Sequence, residues 1–66
     1  MIATVWVVGG REFRAEALGY EGGLWIATGR FVHRDAFGER SYADQTIALP
    51  PRRIEEIRWK RPRPSS

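Results

Sequence analysis

The sequence contains no cysteine and only one histidine, His33. It can therefore form neither disulfides nor thiolate metal sites, and a lone imidazole does not build a histidine cluster. A chain of this size buries only about 60% of the surface its unfolded form exposes, and such domains usually need disulfides, a metal or association. We therefore expect no metal or other cofactor, and expect stability to come from tight packing or from a second chain.

Long hydrophobic runs are also absent. The N-terminal run covers only Ile2 to Val8 and no basic residue precedes it. A membrane-spanning helix needs about 20 apolar residues, and a secretory leader needs a charged start and a longer apolar region. Together with the lack of cysteine, which fits a reducing compartment, this predicts a cytoplasmic protein without membrane contact.

Positive charge is scarce in the body of the chain. Residues 1–51 carry five arginines against six acids, a balance of −1, whereas residues 52–66 carry six basic residues against two acids, a balance of +4. The net charge of +3 therefore comes entirely from the C-terminal fifteen residues.

The residues that are present alternate as β-strands do. Period-two alternation and β-branched runs predict strands over residues 2–8, 11–18, 24–34, about 40–49 and 55–60. Helix is the competing assignment for 11–18, because Ala, Glu and Leu favour it, but the period of two and the preceding Gly9-Gly10 pair favour a hairpin strand. Gly29 within the third run predicts a bulge or bend. In the fourth run, Ile47 and Leu49 are expected on one face.

Pro50-Pro51 should end the fourth strand, because proline has no N–H to donate to a ladder. Arg52 to Ile54 is predicted as a short turn of tight helix before the last strand. The expected fold is all-β: a small five-stranded barrel over residues 1–60, followed by an extended basic Pro/Arg tail over 61–66.

The stretch Leu49-Pro50-Pro51-Arg52-Arg53-Ile54-Glu55-Glu56-Ile57 resembles the end of Src-homology-3-like barrels, in which a proline and a one-turn helix lead into the closing strand. The general layout also resembles Sm-like barrels and small phage- or prophage-encoded proteins. The resemblance implies the fold. It does not imply polyproline-peptide binding, because the Ala-Leu-Tyr-Asp-Tyr stretch, acidic loop and paired tryptophan of peptide-binding members are absent.

No constellation in the sequence points to catalysis. Each of the eight acids lies beside or near an arginine on a predicted wet face or turn, which is typical of solvated surface charge. No serine is placed by spacing next to His33, which we expect at a rim, and neither glycine pair precedes the lysine and helix of a phosphate loop. We expect no enzyme activity and no small-molecule substrate.

The aromatic residues divide by position. Most of those within the predicted strands are expected in the core; they are Trp6, Phe13, Trp25, Phe31 and Trp59. Tyr20, Phe37 and Tyr42 lie in or next to turns and are expected to be exposed.

The C-terminal basic residues are candidates for contact with phosphates or with a partner's groove. They are Arg52, Arg53, Arg58, Lys60, Arg61 and Arg63. Pro62 and Pro64 would keep the tail extended, whereas Glu55 and Glu56 interrupt the cluster. The alternative is a solubilising terminus without a target.

The first strand is apolar on both faces, with Ile2, Trp6 and Val8 on one and Ala3, Val5 and Val7 on the other. A barrel strand with one face in water should instead alternate apolar and polar residues. Ala3, Val5 and Val7 are therefore candidates for self-association, the alternative being cover by the chain's own loops or tail. The leading hypothesis is a non-catalytic protein-interaction module, phage-derived and self-associating (a homo-oligomer). The other is a nucleic-acid-binding module that uses the basic C-terminal segment.

Overall fold

The structure, a computed structural model, describes residues 2–60, with only the backbone of Lys60. These residues form six strands and one 3₁₀ turn: β1 (Ile2–Val7), β2 (Arg11–Glu21), β3 (Leu24–Asp35), β4 (Gly38–Ser41), β5 (Gln45–Leu49), the 3₁₀ turn Pro51–Arg53 and β6 (Ile54–Lys60). The all-β prediction is confirmed, including a strand rather than a helix over 11–18. The predicted tail, 61–66, lies outside the described residues. No helix within 2–60 has the length and apolar character needed to cross a membrane.

The strands form one open antiparallel sheet in the order β4-β3-β2-β1-β6, and β5 also pairs with β3. β4 pairs with the C-terminal part of β3 (Val32–Asp35) and β5 with its N-terminal part (Trp25–Gly29), so the two follow each other along one edge. The single fourth strand predicted over 40–49 is thus two strands, separated by residues 42–44. Because the pairing is open in the described part of the chain, closure into a five-stranded barrel stays a prediction.

The hairpins turn at glycines with positive φ. Gly22 and Gly23, at φ +60° and +82°, form the whole connection between β2 and β3. Such angles are costly for residues that carry a Cβ. The two-residue turn lets β2 continue to Glu21, three residues further than the alternation predicted.

The predicted irregularity at Gly29 is a bulge in the strand opposite it. Between Ala15 and Ala17 the register of β2 shifts against β3, and Glu16 is the extra residue. A Cβ built at Gly29 would overlap the Arg14 carbonyl oxygen and lie 2.9 Å from the Ala15 Cα. Gly29 therefore permits the two backbones to approach where the sheet bends.

The core lies on the concave face of the sheet. Its buried centre consists of Val5, Val7, Phe13, Ala15 and Ala27. Side chains from both edges of the sheet pack against this cluster: Ile47 and Leu49 from β5, and Ile54 and Ile57 from β6. The sheet must curl for its opposite edges to reach one cluster, and the shared face predicted for Ile47 and Leu49 is confirmed.

Candidate functional site: a basic groove and an unpaired sheet edge

The residues predicted for self-association lie inside the protomer. Ala3 and Val5 have no exposed surface, and Val7 is 8% exposed. All three point to the concave face, so the chain's own strands cover them. They cannot form a contact surface in the folded protomer.

The opposite face of β1 is the one that reaches the surface. Ile2 and Val8 are 53% and 47% exposed. Trp6 is half-buried between Glu12 of β2 and Glu56 of β6 in the register, and its indole N–H is buried without a hydrogen-bond partner in the described part of the chain. The exposed apolar surface at β1 is thus formed by Ile2 and Trp6, together with Val8, which follows the strand.

The predicted basic cluster is divided between the two ends of β6. Arg52 and Arg53 are exposed in the 3₁₀ turn, and the Arg53 carbonyl accepts a 2.8 Å hydrogen bond from the Val8 N–H. Lys60 pairs with Ile2 at the other end of the sheet. Six strand steps, roughly 20 Å, separate Ile54 from Lys60. The side chain of Lys60, with Arg61 and Arg63, lies outside the described residues.

Arg58, the remaining member of the cluster, lies on the outer face of β6. Its Nε is 3.1 Å from Glu56 Oε2, and both side chains are exposed. It pairs with Thr4 in the register, away from Arg52 and Arg53. The described members of the cluster therefore do not form one continuous patch.

A groove opens at the end of the sheet that carries Arg52 and Arg53. The pairing of β2 with β3 begins at Glu12 and Val32, and β3 continues to Asp35 without β2 beside it. The space between the Gly9-Gly10 turn and this extension of β3 is an open groove of about 650 Å³. Its lining includes Arg11, Phe31, His33, Tyr42 and Gln45.

The groove joins aromatic surface to positive charge. Phe31 packs edge-to-face on the buried Phe13, with ring centroids 4.9 Å apart, and its carbonyl accepts a 3.0 Å hydrogen bond from the Tyr42 N–H. The exposed Arg40 is the direct cross-strand neighbour of His33, so it extends the basic lining. Asp35 Oδ2, 3.7 Å from His33 Nε2, is an acidic group at the same end.

Four charged side chains form a ring of ion pairs beside the groove, and two of them, Glu12 and Arg34, also line it. Arg14 donates to both carboxylate oxygens of Glu39, at 2.8 and 3.0 Å, and its Nε lies 3.3 Å from Glu12 Oε2. Arg34 lies 3.2 Å from Glu39 and 3.6 Å from Glu12. The hydrogen bond to Glu39 is the main cause that raises the pKa of Arg14 above its usual value. The negative charge of the buried Glu12 is thus compensated by Arg14 and Arg34, which reduces its repulsion of an anion in the groove.

Sequence reasoning missed this groove. It assigned Arg11 and Arg40 to the nearly neutral body of the chain and Phe31 to the core. The register of β3 with β4 places Arg40 beside His33, and the hydrogen bond from Val8 places Arg53 near the β1–β2 turn. Neither pairing can be read from the sequence. The rim position predicted for His33 is confirmed, since its side chain is 59% exposed.

Two of the aromatic residues expected in the core lie there: Phe13 is fully buried, and Phe31 is half-buried and packs against the core cluster. Trp6 and Trp25 are half-buried but are not part of that cluster. Tyr20, Phe37 and Tyr42 are exposed as expected. Trp59 was expected in the core but is 44% exposed. In the described part of the sheet β6 is an edge strand that pairs with β1 alone, so no further strand covers Trp59.

Within residues 2–60, no three His, Asp or Glu side chains are grouped so that they could hold a metal ion. Comparison with family models, with curated proteins and with solved structures finds no match to this chain.

Proposed function

We propose that this protein is a non-catalytic protein-interaction module that self-associates along the edge of β6. The observation that carries the proposal is an unpaired strand edge whose sequence complements itself. Among residues 2–60, β6 pairs with β1 alone, so its second edge is free. Glu55 is the extra residue of a bulge against β1, so the regular part of this edge covers residues 56–60. Such a free edge is a template for another strand.

Antiparallel pairing of two β6 strands about Ile57 satisfies the side chains of both. Ile57 then lies opposite Ile57 of the partner subunit, and Glu56 lies opposite Arg58 of the partner subunit. By two-fold symmetry each Glu56–Arg58 pair occurs twice. Opposite charges in directly facing cross-strand positions are stabilising, whereas like charges there are destabilising.

Apolar side chains beside this edge add buried surface to the contact. Trp59 of β6 is 44% exposed, and Ile2, paired with Lys60 at the same end, is 53% exposed. A second sheet continuing from β6 would cover part of both. This is a way for a chain without disulfides to enlarge a small core.

Charge reversal tests the register. Glu56→Arg and Arg58→Glu should each convert the dimer to monomer in sedimentation or light-scattering measurements across a range of concentrations, because each places like charges opposite each other. The double variant Glu56→Arg/Arg58→Glu should restore the dimer. Glu21→Arg, an exposed reversal at the far end of β2, should leave it intact.

Circular dichroism of each variant keeps folding separate from association. A wild-type chain that is monomeric at every concentration would overturn the proposal. Association that survives both single reversals would overturn it as well.

We further propose that the curled sheet is a Src-homology-3-like barrel in which β5 and β6 meet only through their core side chains, so that the second edge of β6 stays free for a partner. The strand order, the 3₁₀ turn before the last strand and the packing of β5 and β6 on one core cluster support this. Nuclear Overhauser contacts between the side chains of Ile47 and Ile57 are expected for the closed form. Contacts restricted to strands that neighbour each other in the open order would contradict closure.

A further inference from the structure

We propose that the groove between the Gly9-Gly10 turn and the end of β3 binds single-stranded nucleic acid. Its volume of about 650 Å³ lies within the range of ligand sites in proteins, about 300–1,000 Å³. The groove is distinct from the self-association edge, because no residue of β6 lines it.

Two aromatic rings provide a stacking surface. Phe31 is fixed from behind by its edge-to-face contact with Phe13, and its other side faces the groove. Tyr42 is 58% exposed, and its backbone is held by the hydrogen bond to the Phe31 carbonyl. Rings held this way stack on bases without preference for sequence, because every base has a π-face.

Four exposed arginines lie at the same end of the sheet as these rings, and one of them lines the groove. Arg11 lines the groove, Arg40 lies beside His33, and Arg52 and Arg53 are held next to the β1–β2 turn by the bond from Val8. Two carboxylates, Glu12 in the lining and Glu39 beside it, are engaged by Arg14 and Arg34. The carboxylate of Asp35 lies 3.7 Å from His33 Nε2. The groove therefore presents positive charge to a phosphate backbone.

The aromatic rings of Phe31 and Tyr42 distinguish a single strand from a duplex or an acidic peptide. Bases of a duplex are stacked on one another and do not reach Phe31, whereas the bases of a single strand are free to do so. An acidic peptide would use the arginines but gain nothing specific from Phe31 and Tyr42. The juxtaposition of both features favours the single strand.

Fluorescence anisotropy with labelled 12-nucleotide dT and U oligomers tests the site on the full chain. Binding should weaken steeply with salt, and Arg11→Gln should reduce the slope of that dependence by about one. Tyr42→Ala should weaken binding by about tenfold. Tyr20→Ala is the matched control, because Tyr20 is also 58% exposed but lies at the far end of β2. It should leave affinity unchanged.

Four outcomes would overturn the proposal. The first is the absence of binding to either oligomer at low salt. The second is equal loss of affinity in Tyr20→Ala and Tyr42→Ala. The third is loss confined to Arg61→Gln/Arg63→Gln, which would place binding in the tail. The fourth is tighter binding to a poly-glutamate peptide or to a duplex than to the single strands. Unequal affinity for dT and U with the same dependence on Tyr42 would support the site and identify the preferred strand.

Discussion

Replacing Gly29 with alanine should destabilise the fold far more than its size suggests. The new Cβ would overlap the Arg14 carbonyl oxygen and lie 2.9 Å from the Ala15 Cα. Both are backbone atoms at the bulge of β2, so they cannot rotate away as the end of a side chain can. Relief requires the two central strands of the sheet to move apart.

The magnitude follows from the size of the domain and the type of clash. At 0.05–0.15 kcal/mol per residue, a chain of this length has a free energy of unfolding of about 3–10 kcal/mol. Overpacking a core costs about 1–3 kcal/mol, and a clash with backbone belongs at the upper end. A loss of about 3 kcal/mol would lower Tm by about 12 °C or more.

Urea denaturation followed by tryptophan fluorescence, with Tm from circular dichroism, measures this loss. All variants must be compared at one protein concentration, because self-association would make Tm depend on it. Gly19→Ala is the matched control: Gly19 also lies in a strand, but a Cβ there meets no atom within 4 Å. Alanine at 19 should be neutral or stabilising by about 0.5 kcal/mol. Equal stability of the Gly29 and Gly19 variants would refute the close approach at the bulge.

Three further sets of substitutions test the core, the ring of ion pairs around Arg14 and the buried indole N–H of Trp6 by the same denaturation measurements. Phe13→Ala should cost about 3–5 kcal/mol, because Phe13 is fully buried against Phe31; Phe37→Ala, at a position 94% exposed, should change stability by less than about 0.5 kcal/mol. Arg14→Gln should cost about 0.5–1 kcal/mol, and less at 1 M salt, because its pairs with Glu39 and Glu12 are partly exposed; a double-mutant cycle with Glu39→Gln that shows no coupling would contradict the ring. Trp6→Phe should cost less than Trp6→Ala by at least about 1 kcal/mol, because it keeps most of the ring while removing an unpaired buried N–H; equal losses would count against that explanation.

Local features predicted most of the secondary structure. Alternation located the strands, and glycine pairs located the turns, because side-chain period and backbone φ are properties of neighbouring residues. Gly29 predicted an irregularity at this point of the sheet, but the bulge lies in the opposite strand, β2. The break between β4 and β5 was missed, since Ile47 and Leu49 keep a strand pattern and residues 42–44 carry no glycine or proline to interrupt it.

The sequence by itself determined an all-β chain, its hairpin turns, its 3₁₀ turn and a first strand apolar on both sides. Only the tertiary structure decided that Ala3, Val5 and Val7 face the core while Ile2, Trp6 and Val8 face outward. It also decided that Arg11, Arg40, Arg52 and Arg53 come to one end of the sheet. The physical reason is that alternation defines two faces without saying which is buried. Strand register, which brings distant residues together, depends on pairings across the whole chain.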